Sequence, residues 1–119
     1  MAKLRQLLRA HPFDRTAWNR FVTDDLHVRI GNAATVIGKD AALAELSAFF
    51  ARTESVGAGF FETCRHTQTV FAEMEVDFKD AAGRPRSIPC VMVMRWVGES
   101  LVDLRMYLDP SAIPTDRTP

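Results

Sequence analysis

Apolar and polar residues alternate most cleanly between Thr69 and Lys79. Ala72, Met74, Val76 and Phe78 fall on one side there, and Phe71, Glu73, Glu75 and Asp77 on the other. A period of two is that of a half-buried β-strand. The same period predicts a strand over Leu26–Ile30, with Leu26, Val28 and Ile30 on one face and His27 and Arg29 on the other. Further strands are expected over Val36-Ile37, Gly59–Arg65, Ser87–Val97 and Leu101–Asp109. Spacings of three and four take over elsewhere. Leu4, Leu7 and Leu8 predict a first helix, which His11-Pro12 ends because the residue before proline avoids helical backbone. Asp14 can cap a second short helix carrying Trp18, Phe21 and Val22 on one face. Asp24-Asp25 should close it, since carboxylates at a helix C-terminus oppose the dipole. Asp40 is the expected N-cap of a third helix, Ala41–Arg52, with Ala42, Leu46, Phe49 and Phe50 as its apolar stripe.

Helices, a strand, a helix and then a run of strands argue for an α+β fold in which a curved antiparallel sheet closes over about three helices. At 119 residues the chain fits one domain. Gly98-Glu99-Ser100 turns the last hairpin. If Met92, Met94, Leu104 and Met106 all face inward, a three-residue loop is required. Met94 then sits opposite Leu104 and Met92 opposite Met106, with Arg95 facing Asp103 outside. A slip of one residue would send every apolar side chain to the wrong face. Pro110 stops the last strand, and the polar, proline-rich tail from about residue 114 is expected to be mobile.

Composition narrows the function classes. Hydrophobic residues make up 47% of the chain, enough for one continuous core, and 15 Lys+Arg balance 15 Asp+Glu. A nucleic-acid binder usually carries a basic surplus, so no such partner is expected. Neutrality also leaves little repulsion against self-association. Cys64 and Cys90 lie in apolar strand-like runs without metal-ligand spacing, which reads as free buried cysteine. His11, His27 and His66 are scattered, so no metal is expected. No glycine-rich phosphate loop occurs, and no cofactor is expected. No run approaches the roughly 20 apolar residues that span a bilayer. Met1–Ala10 lacks the apolar stretch of a signal peptide. A cytoplasmic protein without a membrane partner is the expectation.

Several stretches together resemble one family. Phe21-Val22-Thr23-Asp24-Asp25-Leu26 is similar to an F-x-x-D-D-V step from helix to first strand. Ile30-Gly31-Asn32 followed by Gly38-Lys39-Asp40-Ala41 resembles a G-N…G-R-D-A run into the third helix. Pro89-Cys90-Val91-Met92-Val93-Met94-Arg95 and Tyr107-Leu108-Asp109-Pro110 resemble the last two strands of SnoaL-like proteins, within the nuclear-transport-factor-2-like superfamily. The resemblance runs in order from about Phe13 to Ile113. It implies a cone-shaped sheet around three helices, an apolar pocket at the wide end, and frequent homodimers through the outer sheet face. It does not specify a function, because this fold hosts isomerases, epoxide hydrolases, cyclases and binders.

The catalytic residues of such relatives carry over poorly. Ketosteroid isomerases use an Asp base and an oxyanion hole of Tyr plus a protonated Asp. The matching positions hold Ile30 for the base and Val91 or Met92 for the acid, and the only tyrosine, Tyr107, lies on a late strand. Alignment with limonene epoxide hydrolase puts Met106 at one aspartate, Glu75 at the other and Glu73 at the arginine. No residue matches the acid/base carboxylate of the cyclases. Glu75 is thus the candidate catalytic carboxylate of an isomerase, hydrolase or cyclase-type enzyme. The competing reading makes Glu73, Glu75 and Asp77 a solvated strand face.

Met74, Met92, Met94 and Met106 serve equally as core filler or as a soft, adaptable lining for an apolar ligand. The expected function is binding of a small hydrophobic molecule in a pocket lined by Trp18, Phe21, Ile30, Phe50, Met92, Met94, Leu104 and Met106, without required catalysis. A dimerisation module with a filled cone is the third possibility. The row Asp103, Arg105 and Tyr107 beside Val91, Val93 and Arg95 suggests a homodimer, with Arg95 or Arg105 reaching Asp103 of the other copy.

Overall fold

The computed structural model describes residues 7–8 and 13–115. Their helices are α1 (Arg15–Asn19) and α2 (Lys39–Ala51). Their strands are β1 (Val22–Ile30), β2 (Val36–Ile37), β3 (Ser55–His66), β4 (Thr69–Lys79), β5 (Pro85–Val97) and β6 (Ser100–Tyr107). The six strands form one sheet in the order β2-β1-β6-β5-β4-β3. The fold is the expected α+β cone with one amendment: β1 pairs with β6 in parallel, so the sheet is mixed rather than antiparallel throughout. The meander β3 to β6 returns the chain to lie beside its first strand.

Three irregularities bend the strands, and bulges of this kind raise local twist. Between Val22 and His27 the register of β1 against β6 shifts. Asp24, in phase with buried Val22 and Leu26, is exposed across that shift, so period two fails there. That failure conceals the first half of the strand, which starts at Val22 and not at Leu26. In β3 the register shifts between Val56 and Phe61, around Gly57 with φ +74°. A Cβ on Gly57 would lie 2.8 Å from the Phe61 ring. The third irregularity lies in the last hairpin. Met92 faces Met106, Met94 faces Leu104 and Arg95 faces Asp103, as the inward pattern requires. The device differs, because Val97 pairs with Ser100 and the turn is Gly98-Glu99 alone. Val102 is then the extra residue, between the Arg95–Asp103 and Trp96–Leu101 pairs.

The helices also differ in their ends. Asp14 caps α1 as expected, its Oδ1 accepting the Ala17 N–H at 3.1 Å. The helix stops at Asn19, so Phe21 sits in a turn and Val22 in a strand. Gly38, not Asp40, is the N-cap of α2, at φ +110°. Asp40 lies in the first helical turn, where a carboxylate suits the dipole, and accepts from Arg15 Nη2 at 3.0 Å. Leu7 and Leu8 are helical; the rest of the first expected helix lies outside the described residues. The tail is tied down through Pro114. Ile113 is 1% exposed, and Arg52 donates to the Ile113 and Pro114 carbonyls at 2.9 and 3.2 Å.

Candidate functional site

Strand pairing sets the concave face in rows. Ile30, Met106, Met92 and Ala72 lie side by side across β1, β6, β5 and β4, and Val28, Leu104, Met94 and Val70 form the next row. All eight are buried and belong to one apolar cluster. Leu43, Leu46 and Phe50 of α2 and Trp18 of α1 complete it from the helix side. Trp18 stacks on Phe13 at 5.6 Å and meets Phe50 edge-on at 6.4 Å. Phe21 bridges Trp18 and Trp96, at 5.6 and 5.8 Å.

The structure therefore brings Trp18, Phe21, Ile30, Phe50, Met92, Met94, Leu104 and Met106 to one interior, with Phe21 only partly buried. Met92, Met94 and Leu104 are 0% exposed, so these side chains pack against one another. Among the described residues the buried polar side chain is Thr53, whose hydroxyl donates to the Phe50 carbonyl at 2.9 Å. The Cys90 thiol faces the same interior, and burial pushes it up to about 12. It stays protonated at neutral pH and is a poor nucleophile. Cys64 is exposed, contrary to expectation: its side of β3 is the convex one, opposite Phe71.

Glu75 stands on the convex face, exposed, opposite Pro89. Alternation fixes this, since Met74 and Val76 on either side are buried. A carboxylate there cannot reach a reacting atom in the concave interior. Asp77, on the same face, accepts hydroxyl hydrogen bonds from Ser55 at 2.6 Å and from Ser87, and so clamps β3 and β5 across β4.

A cleft of about 410 Å³ opens where β1, α2 and the chain after β6 converge. Ile30 and Phe49, both core residues, form part of its lining with Ala48 and Pro110, and Asn32, Glu45, Arg52, Asp109, Ser111 and Thr115 supply the polar part. One wall depends on Gly31 at φ +58°, where a Cβ would come within 3.0 Å of the Pro110 ring. Hydrogen bonds from Ser111 hold the Asp109 carboxyl below the usual carboxylate range. Sequence periodicity places only Ile30 here. The polar lining comes from turns and one helix flank, whose meeting no local pattern encodes. A second, shallower depression of about 290 Å³ lies on the convex face over Cys64, Phe71, Glu73 and Val91. No group of three or more His, Cys, Asp or Glu able to hold a metal occurs among the described residues. No helix among them is long and apolar enough to cross a membrane.

No protein-family model matches the sequence, and no curated protein matches it. Solved structures do match its shape. A protein from Catenulispora acidiphila DSM 44928 with a ketosteroid isomerase-like fold, solved with trimethylamine, aligns at TM-score 0.75 and 18% identity over 99% of this chain and 95% of its own. A candidate SnoaL-like polyketide cyclase from Jannaschia sp. CCS1 aligns at TM-score 0.71 and 17% identity over 88% and 80%. A nuclear-transport-factor-2-like protein of unknown function from Cytophaga hutchinsonii ATCC 33406 aligns at 0.64 and 12% over 79% and 83%. The chain has the fold shared by SnoaL-like and nuclear-transport-factor-2-like proteins. At these identities the likeness establishes the fold and leaves the activity to the site.

Proposed function

We propose that the protein binds a small, largely apolar molecule between the concave sheet face and α2, entering by the cleft at Ile30 and Phe49. The observation that carries this reading is the make-up of the interior. Met74, Met92, Met94 and Met106 lie there with aromatic rings and no charged side chain among the described residues. Unbranched thioether chains repack around a guest more readily than branched ones, and the cleft gives that guest a path to the core. The reading needs no proton transfer, and the placement of Glu75 supports binding over catalysis. Cumene, a compact neutral hydrocarbon, is a suitable probe. A ligand that prefers the folded state raises the unfolding temperature further as its concentration rises, with a logarithmic dependence. Cumene should therefore raise Tm, and an unchanged or lowered Tm would contradict the reading.

A homodimer through the convex face is the second proposal, and charge segregation favours it. Exposed Phe71, Val91 and Tyr107 stand together on β4, β5 and β6. Glu62, Glu73 and Glu75 flank them on the β3–β4 side, and Arg29 and Arg105 on the β1–β6 side. A two-fold axis along β5 lays β4 of one protomer over β6 of its partner, so each acidic flank meets a basic one. Asp103 is not the partner's target: it accepts from Arg105 Nε at 3.1 Å and lies 3.8 Å from Arg95 Nη1 within its own chain. Light scattering should give twice the 13.4 kDa chain mass; a monomeric mass would refute this.

A further inference from the structure

Met92, Met94 and Leu104 are fully buried, and the cleft meets the core at Ile30 and Phe49. A guest needs both a way in and a volume to occupy, so one wall of the cleft has to give. Three elements make those walls. β1 is hydrogen-bonded to β2 on one side and to β6 on the other. α2 buries Ala42, Leu43, Leu46, Phe49 and Phe50. The third, residues 109–115, supplies Asp109, Pro110, Ser111 and Thr115 to the lining and is held far more lightly. Among the described residues its hydrogen bonds to the rest of the chain are the two that Arg52 donates, from Nη2 to the Ile113 carbonyl and from Nε to the Pro114 carbonyl. Its other bonds close on itself: the Ile113 N–H donates to the Pro110 carbonyl, and the Ser111 N–H to Asp109. Its one buried side chain is Ile113, which belongs to the same apolar cluster as Ile30, Phe49 and Met106.

We propose that residues 109–115 are a strap that keeps the binding interior closed, with Ile113 as a plug that an apolar guest displaces and Arg52 as the latch that holds the plug in place. This rests on the interior-binding reading above and adds its regulation. Arg52 caps the C-terminus of α2, so the latch is fixed to a rigid element. Its guanidinium presents several donors in one planar fork, which suits two successive carbonyls. Withdrawing Ile113 costs buried apolar area, and an apolar guest taking its place restores that area. The hydrogen bonds of the latch have no such replacement, so they set the barrier to opening. Affinity is lowered by the fraction of molecules in which the strap is closed. A weaker latch should therefore bind a guest more tightly, although it removes two native hydrogen bonds.

The test uses the full chain labelled with ¹⁵N and at the methionine methyls, titrated with cumene, beside Arg52→Gln and Arg52→Lys. As cumene saturates the methionine shifts, the amide signals of Ser111 to Thr115 should move toward those of an unstructured chain, and hydrogen exchange at the Ile113 N–H should speed up. Arg52→Gln should bind cumene about tenfold more tightly than the parent, as expected for loss of a charged hydrogen-bond donor that favours the closed state. Arg52→Lys keeps the charge and can hold one carbonyl, so its affinity should fall between the two. Methionine shifts without any change in the strap amides, and with equal affinity in all three proteins, would overturn the strap and leave interior binding intact. Should Arg52→Gln fail to fold, the strap amides of the parent decide alone: fixed amides in the cumene-saturated protein overturn the plug. If no methionine methyl shifts in the parent or in either variant, both readings fall.

Discussion

The two faces of the sheet are built from alternate residues of the same strands and do opposite things. Along β4, Ala72, Met74, Val76 and Phe78 are buried, while Phe71, Glu73 and Glu75 between them are exposed. The concave face is apolar, uncharged and soft. The convex face carries the charges, sorted into an acidic and a basic flank around a few exposed apolar side chains. A molecule recognised on the first face has to be apolar; one recognised on the second has to match a pattern of charge. The proposed pairing of a small ligand inside with a second protomer outside rests on that difference.

The sharpest way to break the comparison is to move a charge from one face to the other. Met92→Asp removes a buried methionine, worth about 2–5 kcal/mol, and leaves an unpaired carboxyl in its place, costing about 1–3 kcal/mol more. A total loss of about 4 kcal/mol or more approaches the whole stability of many domains. Denaturant unfolding checks it, and an unchanged midpoint would mean that Met92 does not face the core.

The next largest effect concerns the convex face. Val91→Glu sits at an exposed position, so monomer stability should change by only about 0.5 kcal/mol, while light scattering should show the assembly falling to single chains. A dimer that survives Val91→Glu would place the interface elsewhere.

The two thiols give a smaller and cleaner contrast. In the native protein a thiol reagent at neutral pH should modify Cys64 and spare Cys90, with both reacting after denaturation. Burial raises the Cys90 thiol from 9.0 to about 12. The unfolded thiol therefore loses its proton first as pH rises. The stability contributed by keeping Cys90 neutral is complete below pH 9 and is lost progressively between 9 and 12. Cys90→Ala should flatten that part of the pH–stability curve relative to the parent. Modification of both thiols in the folded state would show that the interior opens freely. The smallest effect is expected from Glu75→Gln. Exposed and on the far face, it should change neither Tm nor the Tm rise given by cumene. Loss of the cumene response would bring Glu75 into the site.

Much of this was legible in the sequence, and several of the misses share a cause. The strand over Thr69–Lys79, the hairpin register and the inward set of Met92, Met94, Leu104 and Met106 follow from period-two alternation, and Trp18 and Phe50 follow from helical spacing. Several errors in the bounds of elements occurred where a bulge or a glycine cap replaced regular backbone. The shift between Val22 and His27 hid half of β1, and Gly57 hid the start of β3. Gly38 took the cap expected of Asp40. Val102 supplied the extra residue assigned to the hairpin loop. The cleft beside Ile30 was invisible for a different reason. Its wall joins Gly31, α2 and Pro110, which are far apart along the chain.

The central claim is that the concave interior admits a guest. Methyl spectra of the protein labelled at the methionine ε-carbons, titrated with cumene, test it most directly, because Met74, Met92, Met94 and Met106 all lie in that interior. The account predicts saturable shifts at Met92 and Met106, which lie in the same row as Ile30 at the cleft, with smaller shifts at the others. Methyl resonances that stay fixed while cumene reaches its solubility limit would show a solid core and contradict the claim.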